Sequence, residues 1–307
     1  MKHVAVLMGG MSAERPVSLN SGAACARALL GAGFKVTEVD AGRDLAQVLT
    51  ELKPDVAFNV LHGKFGEDGC IPGLLEVLGI PYTHSGVLAS SMAMKKDVAK
   101  IIMAQAGVPV AKGVTASRFE AAKRHLMPPP YVAKPVSEGS SFGVVIVKKD
   151  RSHPPQELAR PDWPYGETML IEEFIPGREL TCGVMGYREG TRALDVIEVL
   201  SPSTEFYDYE AKYSKGGSIH VLPAQIKPNV YRQVQELSVR AHEALGCRGV
   251  SRADFRYDEA SETLVCLEVN TQPGMTETSL VPELAAHAGM SFGELVTWMV
   301  QDASLER

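Results

Sequence analysis

Apolar and polar positions change period several times along this chain, and each change marks an element. His3-Val-Ala-Val-Leu-Met8 is a continuous apolar run, the signature of a strand buried on both faces of a parallel sheet. Gly9-Gly10 then turns the chain into a helix from about Pro16 to Leu30, closed by Gly31 and Gly33. Val36–Val39 predicts a second strand, residues 43–52 a second helix, and Val56–Val60 a third strand. This βαβαβ order predicts a parallel α/β unit whose ligands gather at the carboxyl ends of the strands. Those ends carry Gly9-Gly10 with Glu14, and Leu61-His62-Gly63 through Gly69, which are also what plain tight turns look like. Ile71–Leu78 reads as a helix, Ile80-Pro-Tyr82 as a short strand, and residues 85–107 as one long helix. That helix carries Lys95, Lys96, Asp97 and Lys100, ordinarily a solvated basic face.

The middle of the chain reads as hairpins. Tyr131–Pro135 predicts a strand and Gly143–Val147 its partner, joined through Val136-Ser-Glu-Gly139-Ser140-Ser141-Phe-Gly143. Small residues let backbone N–H groups crowd around an anion. The segment is therefore either a flexible hairpin or a glycine-rich flap over phosphates, with Lys134 beneath as a point charge. No G-x-x-x-x-G-K-[ST] motif occurs. Met169-Leu-Ile171-Glu172-Glu173 sets an apolar run beside two acids, as in an adenine-binding hinge, and Gly177–Val184 starts another strand. Residues 201–217 are too aromatic for a linker and too polar for core, which suits an active-site lid. Residues 228–245 predict an amphipathic helix, and Leu280–Val300 a final helix that only packs.

Between these helices lies the stretch with the most chemistry. Ala253, Phe255 and Tyr257 alternate with Arg252, Asp254 and Arg256, and Val265, Leu267 and Val269 alternate with Cys266, Glu268 and Asn270. A polar turn centred near Ser261 places Asp254 opposite Glu268 and Arg252 opposite Asn270. Directly opposed Cβ atoms are about 4.5–5.5 Å apart, so the two carboxylates repel unless a cation lies between them. An all-oxygen set of Asp, Glu and Asn suits Mg²⁺ or Mn²⁺. A simple hairpin with a wet outer face is the alternative.

Composition narrows the class. A chain of 307 residues exceeds one comfortable core, which predicts two or three domains. The hydrophobic fraction of 45% and charged fraction of 22% are those of a soluble globular protein. A net charge of −6 argues against a nucleic-acid scaffold. Five scattered cysteines, never spaced C-x-x-C, suggest neither a disulfide framework nor zinc, and fit a reducing cytoplasm. No apolar run reaches the ~20 residues of a membrane span, and no signal peptide pattern opens the chain.

Taken together, five segments resemble the D-alanine–D-alanine ligases of the ATP-grasp superfamily. They are Gly9–Ser18, His62–Gly69, Lys134–Ser141, Phe206–Tyr213 and Glu268–Met275. The resemblance covers essentially the whole chain. It implies an α/β (α+β) protein: an N-terminal Rossmann-like parallel α/β domain over residues 1–96, then an ATP-grasp fold of two α+β subdomains. The first of these, residues 97–178, carries the flap; the second, 179–307, carries the lid and metal site. The implied activity joins two D-alanines at the expense of ATP, through an acyl phosphate, for peptidoglycan precursors. A related ATP-grasp carboxylate–amine ligase, or one making a D-alanine–D-lactate depsipeptide, is the alternative.

The same resemblance implies roles for particular residues. Asp254, Glu268 and Asn270 would hold two Mg²⁺ (or Mn²⁺) ions. Lys96 and Lys134 would contact ATP phosphates, with Lys212 nearby. Glu172 and Glu179 would meet adenine and ribose, helped by backbone at Glu173 and Ile175. Glu14 would pair with the first D-alanine's ammonium, with His62 near that pocket. Ser140 and Tyr213 would link flap, lid and Glu14. Arg252 and the N–H of Gly274 would form an oxyanion site. Lys212 and Ser279 would bind the second D-alanine's carboxylate, and Tyr213 favours a dipeptide product. The family is commonly homodimeric.

Overall fold

The computed structural model describes residues 1–187, 189–201, 218–276 and 278–305. Its first layer is a parallel sheet in the order β2-β1-β3, formed by β1 (His3–Met8), β2 (Lys35–Asp40) and β3 (Val56–Asn59). Every residue of β1 is buried, as its unbroken apolar run requires. Helix α1 (Arg15–Gly31) takes a proline in its first turn, where no backbone N–H is missed. Its inner face is small: Ser18, Ser21, Gly22, Cys25 and Ala26. A side chain at Gly22 would come within 2.5 Å of Met8 Cβ, so only glycine lets the helix lie this close to β1. Helices α2 (Leu45–Leu52) and α3 (Cys70–Leu78) complete the unit, and the predicted strand at residues 80–82 is a bridge from Tyr82 to Ala57.

Two antiparallel sheets follow. The four-stranded one runs β4-β7-β5-β6, from β4 (Gly113–Ser117), β5 (Tyr131–Pro135), β6 (Val145–Val147) and β7 (Thr168–Glu173), and α6 (Arg118–Lys123) packs on it through Ala121 and Ala122. The five-stranded one runs β10-β9-β8-β11-β12, from β8 (Arg178–Tyr187), β9 (Gly190–Leu200), β10 (Ile219–Val221), β11 (Gly249–Asp258) and β12 (Thr263–Asn270). Leu180, Cys182, Phe255, Tyr257 and Cys266 of the larger sheet pack on Val230, Val234 and Leu237 of α7 (Pro228–Ala244). A wholly buried Phe such as Phe255 gains roughly 2–3 kcal/mol from leaving water.

Four local expectations need correction. The segment at 85–107 is two helices, α4 (Val87–Met94) and α5 (Lys96–Gln105), because Lys95 is extended at φ −89, ψ 96. The C-terminal helix is likewise split into α8 (Leu280–His287) and α9 (Phe292–Asp302). Gly289 (φ +86) ends one, and Ser291 with Glu294 forms a reciprocal cap on the other. Leu295, Val296, Met299 and Val300 then return to cover Val4, Val6 and Phe58, closing the N-terminal sheet with C-terminal sequence.

The third correction is the face of Leu267. Asp254 pairs with Glu268 but Phe255 pairs with Cys266, so β12 bulges at Leu267. Alternation shifts by one there. Cys266 and Leu264 join the core beneath the sheet, and Leu267 lines the open cleft beside Glu268. Finally, β6 starts at Val145 rather than Gly143, since residues 139–143 are turns.

Candidate active site

The two antiparallel sheets face each other across a cleft lined by Lys96, Lys134, Glu138, Ser141, Phe142, Glu179, Asp254, Leu267 and Glu268. Each sheet supplies one wall. On the larger sheet, Asp254 and Glu268 lie opposite each other, and Arg252 opposite Asn270, in the register expected from the sequence. Arg252 grips Asp254 with two hydrogen bonds of 2.8 and 2.7 Å, Thr181 Oγ1 donates a third at 2.5 Å, and Asn270 Nδ2 a fourth at 2.9 Å. Glu268 is met by Lys96 Nζ at 3.2 Å.

These residues suit a hard divalent cation. Among the described residues no group of three or more His, Cys, Asp or Glu is placed to hold a metal. A cation at this strand end would therefore take two carboxylates, the Asn270 amide oxygen and outside ligands such as phosphates. Mg²⁺ is usually bound in that manner, by one or two carboxylates plus substrate phosphates.

The smaller sheet contributes a buried ionic triad. Glu172 on β7 is 3% exposed, and its carboxylate is bracketed by Lys100 Nζ at 2.5 Å on one oxygen and by Lys134 Nζ on the other. Burial opposes its charge, yet the two ammonium groups outweigh that and hold its pKa below the ordinary range. Burial lowers the Lys100 pKa, offset in part by Glu172. The basic cluster on α5 is thus not a solvated face: Lys96 and Lys100, one turn apart, both point inward. Lys100 was not singled out from the sequence, although its spacing from Lys96 carried the signal. Lys96 also donates to the Glu138 carbonyl at 2.6 Å, tying α5 to the flap.

Residues 136–143 turn beside the cleft, with Ser141 and Phe142 lining it, and aromatic side chains pack on Phe142 from outside. Phe142 stacks on Tyr165 with centroids 6.0 Å apart, and Trp163 meets Tyr165 edge-on at 5.1 Å. Ser140 (φ +48) and Ser141 (φ +60) occupy left-handed backbone, which orients Ser140 Oγ to donate to Glu14 Oε1. The Glu14–Ser140 link expected from the sequence is therefore present across 126 positions of chain.

Glu14 precedes α1 and is buried. Gly63 (φ +69) and Gly139 both flank its carboxylate; a Cβ on either would fall 2.6 or 3.1 Å from Oε2. His62 lies in the same pocket, 6% exposed, with Nδ1 3.0 Å from Glu67 Oε1. Burial disfavours its charged form, but the hydrogen bond and charge of Glu67, with Glu14 beyond, raise its pKa above the usual value. Its Nε2 is buried without a hydrogen-bond partner among the described residues. A buried polar nitrogen left unpaired is costly, and in the protonated ring that the neighbouring carboxylates favour it is suited to an incoming anion.

The remaining predicted residues sit around this centre. Glu179 lines the cleft and is 3.5 Å from Arg256 Nη1, whose Nε donates to the Ile175 carbonyl at 3.2 Å. Glu173 is exposed, with its backbone N–H given to Lys112. Gly274 follows the end of β12, next to Ser279, whose Oγ accepts the Thr276 N–H at 3.0 Å. Lys212 and Tyr213 lie outside the described residues.

Comparison with known proteins gives one consistent result. Residues 38–85 match the family described as D-ala D-ala ligase N-terminus, and residues 102–301 the D-ala D-ala ligase C-terminus. Over its full length the chain is 69% identical to a D-alanine--D-alanine ligase of Xanthobacter autotrophicus, covering 99% of that protein. It is 66% identical to the namesake from Methylobacterium radiotolerans, at 100% and 99% coverage. A crystal structure of the Bacillus anthracis D-alanine--D-alanine ligase complexed with ATP superposes with a TM-score of 0.81 at 26% identity, covering 98% of this chain and 97% of that one.

Proposed function

Because the chain belongs to the D-alanine–D-alanine ligase family, we propose that it joins two D-alanines with ATP to give D-alanyl-D-alanine, ADP and phosphate, for peptidoglycan precursors. The observation that carries this reading is the Glu14–His62 pocket: a buried carboxylate beside a buried imidazole whose Nε2 has no partner among the described residues and, when the ring is protonated, can donate. One matches the ammonium and the other the carboxylate of a small zwitterionic amino acid. Ser140, which bonds Glu14, is followed in the chain by Ser141, which lines the cleft of lysines and carboxylates that suits ATP.

The chemistry then needs positioning and charge neutralisation more than covalent help. A carboxylate oxygen of the first D-alanine attacks the γ-phosphorus; the bond to the bridging oxygen breaks and ADP leaves, giving an acyl phosphate. The amine of the second D-alanine attacks the acyl carbon, loses a proton, and phosphate departs with the C–O bonding pair. Lys96 and Lys134 contact the nucleotide phosphates, exchanging Glu268 and Glu172 for them. Glu172, Glu179 and the backbone of Glu173 and Ile175 take the nucleoside. Asp254, Glu268 and Asn270 would hold two Mg²⁺ (or Mn²⁺) ions, whose charge offsets that building on the transferred phosphoryl group. Arg252 and the Gly274 N–H stabilise the oxyanion of the tetrahedral intermediate. Ser140 orients Glu14 and, with Tyr213, couples flap to lid; Lys212 and Ser279 receive the second carboxylate.

The test is ADP release with ATP and D-alanine alone, against D-alanine plus D-lactate at neutral pH. Turnover with D-alanine alone, giving the dipeptide, is expected; no turnover overturns the reading. Light scattering tests the homodimer that family resemblance suggests.

A further inference from the structure

The activity described so far makes no use of a buried amide pair that joins the first sheet to the end of β12. Asn59, the last residue of β3, is 1% exposed, and Gln272, two residues beyond Asn270, is 5% exposed. Asn59 Nδ2 donates to Gln272 Oε1 at 2.8 Å, and Gln272 Nε2 donates to the Leu61 carbonyl. Asn59 Oδ1 accepts the Leu61 N–H at 3.2 Å. Both amides thus converge on the residue just before His62. On the far side of Gly274, the Met275 N–H reaches Ser21 Oγ of α1 at 3.4 Å, and Cys25 Sγ donates to the Met275 carbonyl at 3.6 Å.

We infer that Asn59 and Gln272 are positioning residues that hold the Gly274 loop and the His62 loop in one fixed register. The inference rests on the ligase reading above. Buried amides are costly unless satisfied, and here one bond joins the pair while the Leu61 backbone takes the Asn59 oxygen and the Gln272 N–H. A slip of either loop leaves a donor or acceptor stranded, so the register is discrete. An apolar pair would fill the same space without dictating direction. The consequence is chemical. His62 belongs to the first layer, whereas Gly274 and the Asn270 strand end belong to the five-stranded sheet. Donor carboxylate and oxyanion donor meet correctly only if these layers agree to a fraction of an ångström. Neither amide lines the cleft.

The test uses Asn59→Leu, Gln272→Met and their double variant, near-isosteric apolar changes, assayed for kcat, KM for ATP and KM for the first D-alanine. Each single variant is expected to lose about tenfold or more in kcat and to raise the first D-alanine KM, with the ATP KM held within about twofold. The double variant should be no worse than the poorer single one, because the two residues form one unit. Folded variants with wild-type kcat and donor KM overturn the inference, as do single losses that multiply in the double variant. Should the apolar variants not fold, Gln272→Asn supplies the answer. It keeps an amide but is one methylene too short to reach both Asn59 and the Leu61 carbonyl. The same loss in kcat and rise in donor KM is expected; wild-type kinetics overturn the bridge. Wild-type protein without D-alanine-dependent ADP release removes the ligase reading itself, whereas active wild type with matching variants removes the bridge alone.

Discussion

Asp254 and Glu268 stand opposite each other across β11 and β12, and each carboxylate is met by its own protein cation: Arg252 on Asp254, Lys96 on Glu268. Two facing carboxylates repel when unpaired, so the proposed metal-ligand set is held in place by side chains that are themselves proposed to act on substrate. Glu268→Gln keeps the size and removes the charge. The fold should persist and kcat should fall by about 10²–10³, with more Mg²⁺ needed for half-maximal rate. ADP release over a Mg²⁺ titration checks this; near-normal rates refute the metal assignment.

The triad of Lys100, Glu172 and Lys134 makes a second prediction. Lys100→Met leaves the buried Glu172 with one ammonium where it had two. Breaking a buried pair in this way costs about 3 kcal/mol or somewhat less, given the remaining lysine. Denaturant unfolding should report the loss. The pH dependence has a definite sign. Glu172 has its pKa lowered on folding, so its contribution is full above the ordinary glutamate value and fades as pH falls below it toward the folded value. The variant, holding its carboxylate less firmly, should lose less on acidification than the wild type does.

These two sites also show what could be read from sequence. The Arg252–Asn270 and Asp254–Glu268 pairings followed from alternation and a turn at Ser261, because one face of the hairpin is core and a slip would expose it. The bulge at Leu267 left no such trace, since Val265 and Leu267 suit either face. Lys95 breaks a run of good helix formers that reads as continuous. Strand β4 has an exposed, mixed sequence, and its edge position is set by β7 rather than by periodicity. The Glu14–Ser140 link was available only through family resemblance, as no local pattern connects residues so far apart. The Asn59–Gln272 bridge lay in two unremarked amides, visible only once the strands had been brought together.

His62 gives a prediction about pH. Its pKa is raised despite burial, through Glu67 and then Glu14. A raised histidine stabilises fully below its unfolded value, and that contribution disappears as pH rises through the folded value. Glu67→Gln keeps a hydrogen-bonding group but removes the charge. Burial then dominates, and the His62 pKa should drop below the usual histidine value. An NMR titration of the ring proton measures the shift directly. Thermal melting should agree: the variant should lose more stability relative to wild type at about pH 5.5 than at about pH 8. An unchanged titration midpoint excludes Glu67 as the cause.

Gly63 is the sharpest probe of the amino-acid pocket, because two separate demands fall on it. Its φ of +69 lies in the left-handed region, where a side chain costs roughly 1–2 kcal/mol. A Cβ there would also stand 2.6 Å from Glu14 Oε2, inside contact distance, and 3.1 Å from Ser12 Cβ. Ser12 cannot readily retreat, since its hydroxyl donates to the His62 carbonyl at 2.6 Å. The Glu14 carboxylate must therefore move, and with it the bond from Ser140. Gly63→Ala should raise the KM for the first D-alanine by about tenfold, the 1.4 kcal/mol expected of a weakened charge-assisted contact. The KM for ATP should stay near wild type, because the lysine cleft is untouched. Initial rates at saturating ATP over a D-alanine series decide the matter. An unchanged D-alanine dependence would show that Glu14 does not hold the substrate's ammonium.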